Sequence, residues 1–298
     1  MCTVTVLTPT YNRIELLPRL YQSLLEQENK DFCWLIVDDG SVDGTSELVT
    51  GWMQDNQIPI QLVTQENGGK HRALNNGIKR IESEFTFIVD SDDYLPRDAI
   101  RTILAYAEKY GQAREKEQVC GFSFLRCYEN GEVNTAYFPI DEHIGTYRDV
   151  RINGHIGGDK AEVFYTDILK KYVFPEFEGE KFLPEDLIWM RMSKDYQMVH
   201  INKCIYISEY LDGGLTKSGR KNKKNSPKGM IERSSVYLED REVNFVTCIK
   251  MMLLYVVYNK FAGNNFREMF RRSIRKMLFL ILYIPGLIIY IKWKREEV

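Results

Sequence analysis

The sequence predicts an α/β fold: a mostly parallel central sheet with helices on both faces, followed by a helical carboxyl-terminal extension. Three observations carry this. Short β-rich apolar runs alternate with helical stretches four times before about residue 95, which implies parallel strands joined by right-handed crossovers. Each run ends in a polar loop, at 8–13, 38–41, 66–70 and 90–93, so the four loops emerge on one edge. From Met230 onward the pattern is helical throughout.

Residues 3–8 form the first β run, and Leu16, Leu17, Leu20, Leu24 and Leu25 then recur at helical spacing to about Gln27. Residues 32–37 make the second strand, and Asp43 is placed to cap a helix running to about Gln54. The third strand is 60–64, and the next helix carries Ala73, Leu74, Ile78 and Ile81 on one face. The fourth strand, 85–89, delivers Asp90. Pro96 suits the first turn of a helix reaching about Gly111. The texture then changes. Runs 119–127 and 133–138 flank Glu129-Asn130-Gly131-Glu132, a hairpin signal. A short helix is expected at 167–172, another from Leu183-Pro184-Glu185-Asp186, a strand at 199–207 and a mobile Gly-, Ser- and Lys-rich loop at 213–228.

A formal net charge of −2 gives no global preference for nucleic acid or membrane, so any such preference must be local. The six cysteines are scattered without a Cys-x-x-Cys pair, which predicts mostly buried thiols in a reducing cytosol. The amino terminus enters a strand at once, with no basic segment or cleavable apolar stretch of a secretion signal. The four histidines show no paired metal-ligand spacing.

The most informative stretch is Asp90-Ser91-Asp92-Asp93, three carboxylates at the carboxyl end of a buried strand. That end is where ligands bind in open α/β sheets. Two aspartates one residue apart can share a hard divalent cation that bridges nucleotide phosphates. An isolated Asp-x-Asp arises by chance about once in a chain this long, and its bland reading is a solvated loop with a helix cap. The other loops decide. Thr8-Pro9-Thr10-Tyr11-Asn12-Arg13, Val37-Asp38-Asp39-Gly40-Ser41, Asn67-Gly68-Gly69, the acidic stretch and Glu185-Asp186-Leu187-Ile188-Trp189 stand in an order and spacing that resembles the catalytic domain of glycosyltransferase family 2. The resemblance covers about the first 215 residues.

That resemblance implies a GT-A fold, a nucleotide-sugar donor (UDP-type), a Mn²⁺ or Mg²⁺ ion, and transfer with inversion to a saccharide or lipid-linked saccharide acceptor. Thr8, Pro9 and Tyr11 would line the nucleotide pocket, and Asp39 would accept a hydrogen bond from the uracil N–H. Asn67 and Gly69 let backbone approach the donor, and Lys70 either neutralises phosphate or is a solvated surface residue. Asp90 and Ser91 fall on the donor, Asp92 is the principal metal ligand with Asp90 beside it, and Asp93 either joins them or caps a helix. Asp186 matches the base, with Glu185 and Trp189 on the acceptor side; the gap to Trp189 is one residue shorter than in the family pattern. Some members supply a late histidine ligand, whereas 209–216 contains none, which leaves the third protein ligand open. Arg220, Lys221, Lys223, Lys224 and Lys228 form either a lid over the diphosphate or a solvated loop. Two rival readings are a sugar nucleotidyltransferase, whose Gly-rich basic loop is missing at 8–13, and a binding module without activity, against which Asp39, Asp90, Asp92 and Asp186 stand together.

Residues 1–228 are expected to be the catalytic unit, with a nucleotide half at 1–95 and an acceptor half at 96–228; residues 229–298 would be a helical region. Its tail holds fifteen uncharged residues, 277–291, between basic flanks, with Pro285-Gly286 inside. A straight helix of that length reaches only ~23 Å, short of a ~30 Å hydrocarbon core. The expected state is peripheral attachment to the inner face of the cell membrane, the alternative a core or dimer-interface helix. Homo-oligomerisation is left open.

Overall fold

The computed structural model describes residues 2–208 and 219–296. The chain begins β1 (Val4–Thr10), α1 (Leu17–Leu25), β2 (Phe32–Asp38), α2 (Thr45–Asp55), β3 (Ile60–Thr64), α3 (Lys70–Ile78) and β4 (Phe85–Ile88). It continues α4 (Ala99–Tyr110), α5 (Ala113–Lys116), β5 (Val119–Cys127), β6 (His143–Gly145), a π-helical turn (Arg148–Asn153), β7 (Ala161–Tyr165) and α6 (Thr166–Leu169). Then come α7 (Asp186–Met192), β8 (Gln197–Ile207), α8 (Gly219–Asn225), α9 (Pro227–Glu239), α10 (Phe245–Phe261), α11 (Phe266–Arg272) and α12 (Lys276–Arg295).

One eight-stranded sheet runs in the order β3-β2-β1-β4-β7-β5-β8-β6. Strands β3, β2, β1 and β4 are parallel; β7 is antiparallel to β4 and β5, and β5 is parallel to β8. Because β7 reverses twice, β5 and β8 point the same way as β1 to β4. Register carries this to the ends: Thr10 faces Asp38, Asp38 faces Thr64, and Arg126 faces Tyr206. Six strands therefore deliver their carboxyl ends to one edge. All seven residues of β1 are buried, as expected of a strand covered on both faces. On one side Tyr21, Trp34 and Trp52 stack, with 4.3 Å between the Tyr21 and Trp52 ring centres.

The mostly parallel sheet and its helical extension match the sequence expectation, and four local expectations are corrected. The 128–132 turn forms, with the Tyr128 N–H on the Glu132 carbonyl, but 133–138 makes only a single bridge, Val133 to Cys127. The reason is that β5 already has β7 and β8 on its two edges, so β8 takes the place of a hairpin partner. β7, unmarked in the sequence, fills the other edge. Half of the expected mobile loop is helix α8, whose Arg220 pairs with Glu296 and whose Lys224 donates to the Trp293 carbonyl; residues 213–218 lie outside those described. Four cysteines are paired, Cys2 just before β1 with Cys33 on β2, and Cys127 on β5 with Cys204 on β8, leaving Cys120 and Cys248 as the buried thiols. Lateral packing of β1 on β2 and of β5 on β8, not sequence spacing, brings those residues together; the register partners themselves are Thr5 with Cys33 and Leu125 with Cys204. Asp43 holds the start of α2 through the Thr45 N–H, with Gly44 as the capping residue.

The carboxyl-terminal helices pack on one another. A Cβ on Gly286 would lie 2.7 Å from Val256 Cβ, so only glycine lets α12 cross α10 this closely. Helix α12 runs on through Pro285 and is the one helix among the described residues long and apolar enough to span a membrane. Its inner side buries Phe279 and Gly286. Met277, Leu280, Ile281, Ile284, Ile288 and Ile291 remain exposed at spacings of one to four residues, an apolar stripe along its outer side.

Two buried histidines make stability pH-dependent. Burial lowers His200 to about 3 despite its contact with the Gly145 carbonyl, and burial with the Arg72 charge lowers His71 to about 4. The unfolded chain binds protons at these sites below about pH 6.5, so stability present above that pH is lost on acidification toward 4 and 3. In urea unfolding, His200→Gln should shrink the stability loss between pH 7 and 4.5 by about 2–3 kcal/mol. An unchanged loss would contradict a neutral buried His200.

Candidate active site

The common sheet edge holds the predicted residues, but not all in the expected posture. At the end of β1, Thr8 is fully buried and its Oγ1 accepts from Trp34 Nε1 at 3.0 Å, so its hydroxyl serves the core. Pro9 is buried opposite Val37. Tyr11 is 45% exposed and offers its ring outward. Thr10, which the sequence reading passed over, has a buried Oγ1 without a partner at the strand end. Asn12 and Ser41 lock the first two loops together, Ser41 Oγ accepting from the Asn12 N–H and Asn12 Oδ1 from the Val42 N–H.

Asp39 is 3% exposed and organises the third loop. Its Oδ1 accepts from Gln65 Nε2 at 2.7 Å and the Gly68 N–H at 2.8 Å; Oδ2 accepts from the Gly69 N–H at 2.7 Å and Asn67 Nδ2 at 3.2 Å. A carboxylate has about four lone-pair sites, and all are used. In this arrangement Asp39 shapes the loop, and a base N–H reaches it only where Gln65 or Asn67 gives way. Asp38 is structural, bound by the Ser41 N–H and Ser46 Oγ. Gly69 sits at φ +95° with the Lys181 carbonyl 1.9 Å from where a Cβ would be, so this turn excludes every side chain. It starts α3 and aims Lys70 across the edge.

Lys70 Nζ lies 2.5 Å from Asp90 Oδ1 and 2.5 Å from Glu185 Oε1, joining the β4 loop to the start of α7. Arg126, near the end of β5, stands 3.7 Å from Asp90 and 3.5 Å from Asp93, with its guanidinium 4.0 Å from the Tyr206 ring centre. Tyr206 Oη accepts from the Asp90 N–H and donates to Asp93. Burial would raise the Asp90 carboxyl, but Lys70 and then Arg126 outweigh it and hold it lowered to about 2. Asp93 is raised to about 7 by burial and by the Asp90 charge, and works as part of this knot. Ser91 is 7% exposed.

Asp92 is the open carboxylate: 31% of its side chain is exposed and Arg13 Nη2 stands 3.9 Å away. That posture fits a carboxylate ligand for Mg²⁺ or Mn²⁺. Among the described residues no three His, Cys, Asp or Glu side chains are grouped to hold a metal. Asp90 Oδ1 is held by Lys70, and Oδ2 stands 3.7 Å from Arg126.

At the start of α7, Glu185 and Asp186 differ sharply. Glu185 is 31% exposed, with Lys70 as its only side-chain partner among the described residues. Asp186 takes a bidentate pair from Arg233 of α9, Nε to Oδ1 at 2.8 Å and Nη2 to Oδ2, and a 2.7 Å bond from Tyr237 Oη. Burial opposes, yet Arg233 leaves the Asp186 carboxyl lowered. Trp189 is a correction: it is buried against Phe164, ring centres 4.4 Å apart, and faces the core instead of an acceptor, because α7 turns its apolar side to the sheet.

Sequence reasoning missed Arg126 and Arg233. Arg126 had a signal, as the one charged residue of an otherwise apolar strand read toward its carboxyl end. Arg233 had none, since it reaches Asp186 from 47 residues away.

A model of the family described as "Glycosyl transferase family 2" matches residues 5–173, more than half of the chain. The chain belongs to that family. It is 34% identical over 116 residues to glycosyltransferase GlyG of Streptococcus pneumoniae, covering 38% of this chain and 36% of that protein. To the Staphylococcus aureus poly(ribitol-phosphate) beta-N-acetylglucosaminyltransferase TarS it is 29% identical over 112 residues, 37% of this chain and 20% of TarS. The matched part spans only 36% and 20% of these two relatives' own length. A Campylobacter jejuni GalNAc(5)-diNAcBac-PP-undecaprenol beta-1,3-glucosyltransferase matches more widely, at 24% identity over 78% of this chain and 82% of its own. In fold, TarS 1–349 in complex with UDP-GlcNAc superposes with a TM-score of 0.65 at 21% identity, over 98% of this chain and 81% of that one. A Pyrobaculum calidifontis mannosyltransferase in complex with GDP-Man and Mn²⁺ gives 0.59 at 16% identity, over 98% and 82%.

The Asp186–Arg233 pair should matter to stability. Asp186→Asn and Arg233→Met should each lower unfolding free energy by roughly 2–4 kcal/mol, and the double variant by less than their sum. Additive losses in chemical denaturation would show that the two side chains act separately.

Proposed function

We propose that this family 2 chain transfers a sugar, with inversion, from a UDP-sugar to a saccharide or lipid-linked saccharide acceptor in surface-polysaccharide assembly, using Mn²⁺ or Mg²⁺. The observation that carries it is the meeting of Asp90, Asp92, Lys70, Arg126 and Glu185 at one sheet edge. Cations there suit a diphosphate, and one open carboxylate suits a divalent ion. Tyr11 offers its ring to the base, and the Asn67–Gly69 loop brings backbone close to the donor. A divalent ion on Asp92 would supply charge stabilisation for the leaving diphosphate. The acceptor hydroxyl attacks the anomeric carbon in line, and a carboxylate at the start of α7 takes its proton. The family resemblance gives that role to Asp186, which stays ionised beside Arg233 and whose Oδ1 has Arg233 Nε as its single donor among the described residues. Residues 1–228 form the catalytic unit in this reading, with α9 contributing Arg233 from the helical region.

The same reading places the protein peripherally on the cytoplasmic face of the membrane. Arg267, Arg271, Arg272, Lys292, Lys294 and Arg295 are exposed at the two ends of the apolar stripe of α12. Apolar residues between cations suit an anionic headgroup layer, and an enzyme held there meets a lipid-linked acceptor in two dimensions.

Purified protein with Mn²⁺ should release UDP from at least one UDP-sugar in a donor panel. Asp92→Ala should weaken metal-dependent UDP binding, and Asp186→Asn should slow transfer about 10²–10⁴-fold while donor binding persists. Pyrophosphate formed from UTP and a sugar phosphate would instead mark a nucleotidyltransferase, and UDP binding without turnover a binding module. For the membrane, full-length protein should float with phosphatidylglycerol vesicles, and Ile281→Glu with Ile288→Glu should abolish flotation. Protein that stays in the soluble fraction, and becomes monomeric with the same substitutions, would make the stripe a dimer interface.

A further inference from the structure

Lys70 is held where two halves of the site meet. Its ammonium touches Asp90 on the β4 loop and Glu185 at the start of α7, both at 2.5 Å. Its backbone is fixed, because Gly69 before it cannot move away from the Lys181 carbonyl without breaking the loop bonds to Asp39. The side chain is not fixed in the same way. A lysine carries a compact charge on a four-carbon stem and can swing among partners, whereas an arginine fork is committed by its geometry. Arg126 shows the contrast: it stacks on Tyr206, donates Nε to the Lys160 carbonyl at 2.9 Å, and stays with Asp90 and Asp93. Asp90 can therefore lose Lys70 and keep a cation. Glu185 cannot, since Lys70 is its only side-chain partner among the described residues.

We propose that Lys70 is a donor-sensing latch: an arriving nucleoside diphosphate draws its ammonium off Glu185, and the freed Glu185 carboxylate then binds acceptor hydroxyls, so that donor binds before acceptor. This rests on the donor site proposed above. The direction follows from the donor's oxygens: a diphosphate presents several anionic oxygens to the ammonium, whereas Glu185 offers one contacting oxygen, Oε1. The latch assigns Glu185 to holding the acceptor, as a positioning residue, and leaves the proton to its neighbour.

The test is a double-variant cycle read by calorimetric UDP binding in Mn²⁺, with each variant's thermal unfolding checked. Lys70→Met should weaken UDP about tenfold or more. Glu185→Gln should tighten UDP by about threefold to tenfold in the Lys70 background, because the competitor for the ammonium is gone, and should change little in the Lys70→Met background. Lys70→Arg keeps both carboxylates paired and guards against misfolding; it should bind UDP more weakly than the natural chain and be restored by Glu185→Gln. Equal tightening by Glu185→Gln in both backgrounds would reduce the effect to charge repulsion and overturn the latch, as would no tightening in either. Those outcomes leave the donor site standing. If neither UDP, GDP nor pyrophosphate binds the natural chain, the donor site fails and the latch with it.

Discussion

Three carboxylates in four positions at the end of one strand repel each other, and much of this structure answers that repulsion. Asp90, Asp92 and Asp93 cannot share a partly buried edge without cations. Each cation comes from a different element: Lys70 from α3, Arg126 from β5 and Arg13 from the loop after β1. Tyr206 of β8 adds one hydrogen bond to the Asp90 backbone and one to Asp93. The two antiparallel pairings of β7 serve this end, because they turn β5 and β8 to the same direction as β4.

The first four strands and their helices were largely legible from sequence. Parallel strands buried on both faces leave an apolar run ended by a polar loop, and that signal is local, so β1 to β4 and α1 to α4 could be read to within a few residues. The later half was not. β7 and the 133–138 segment differ in which neighbours they find, and the hairpin signal at Asn130-Gly131 correctly gave a turn while the second strand lost its place to β8. The helix α8 was hidden by its own composition, since its basic residues are held by the end of α12.

At the site, sequence pattern indicated which residues gather but not what they touch. Asp39, Thr8 and Trp189 lie where order and spacing put them, yet their side chains are spent on the loop, the core stack and the helix packing. Their identity is a constraint on shape as much as on ligand. Arg233 lay beyond reach, because nothing near Asp186 in sequence announces a partner on α9. That contact ties the helical region to the sheet: α9 grips α7 through Arg233 and packs on α10, which carries α12. Attachment of α12 to a surface would thus hold the α7 end of the site near that surface.

The most direct measurement is a crystal structure with UDP and Mn²⁺ bound. This account predicts the diphosphate at the β1–β4 edge, contacting Lys70 Nζ, with the ion on Asp92 and with Glu185 released from Lys70. UDP bound away from this edge, or Lys70 still bridging Asp90 and Glu185 beside a bound diphosphate, would contradict it.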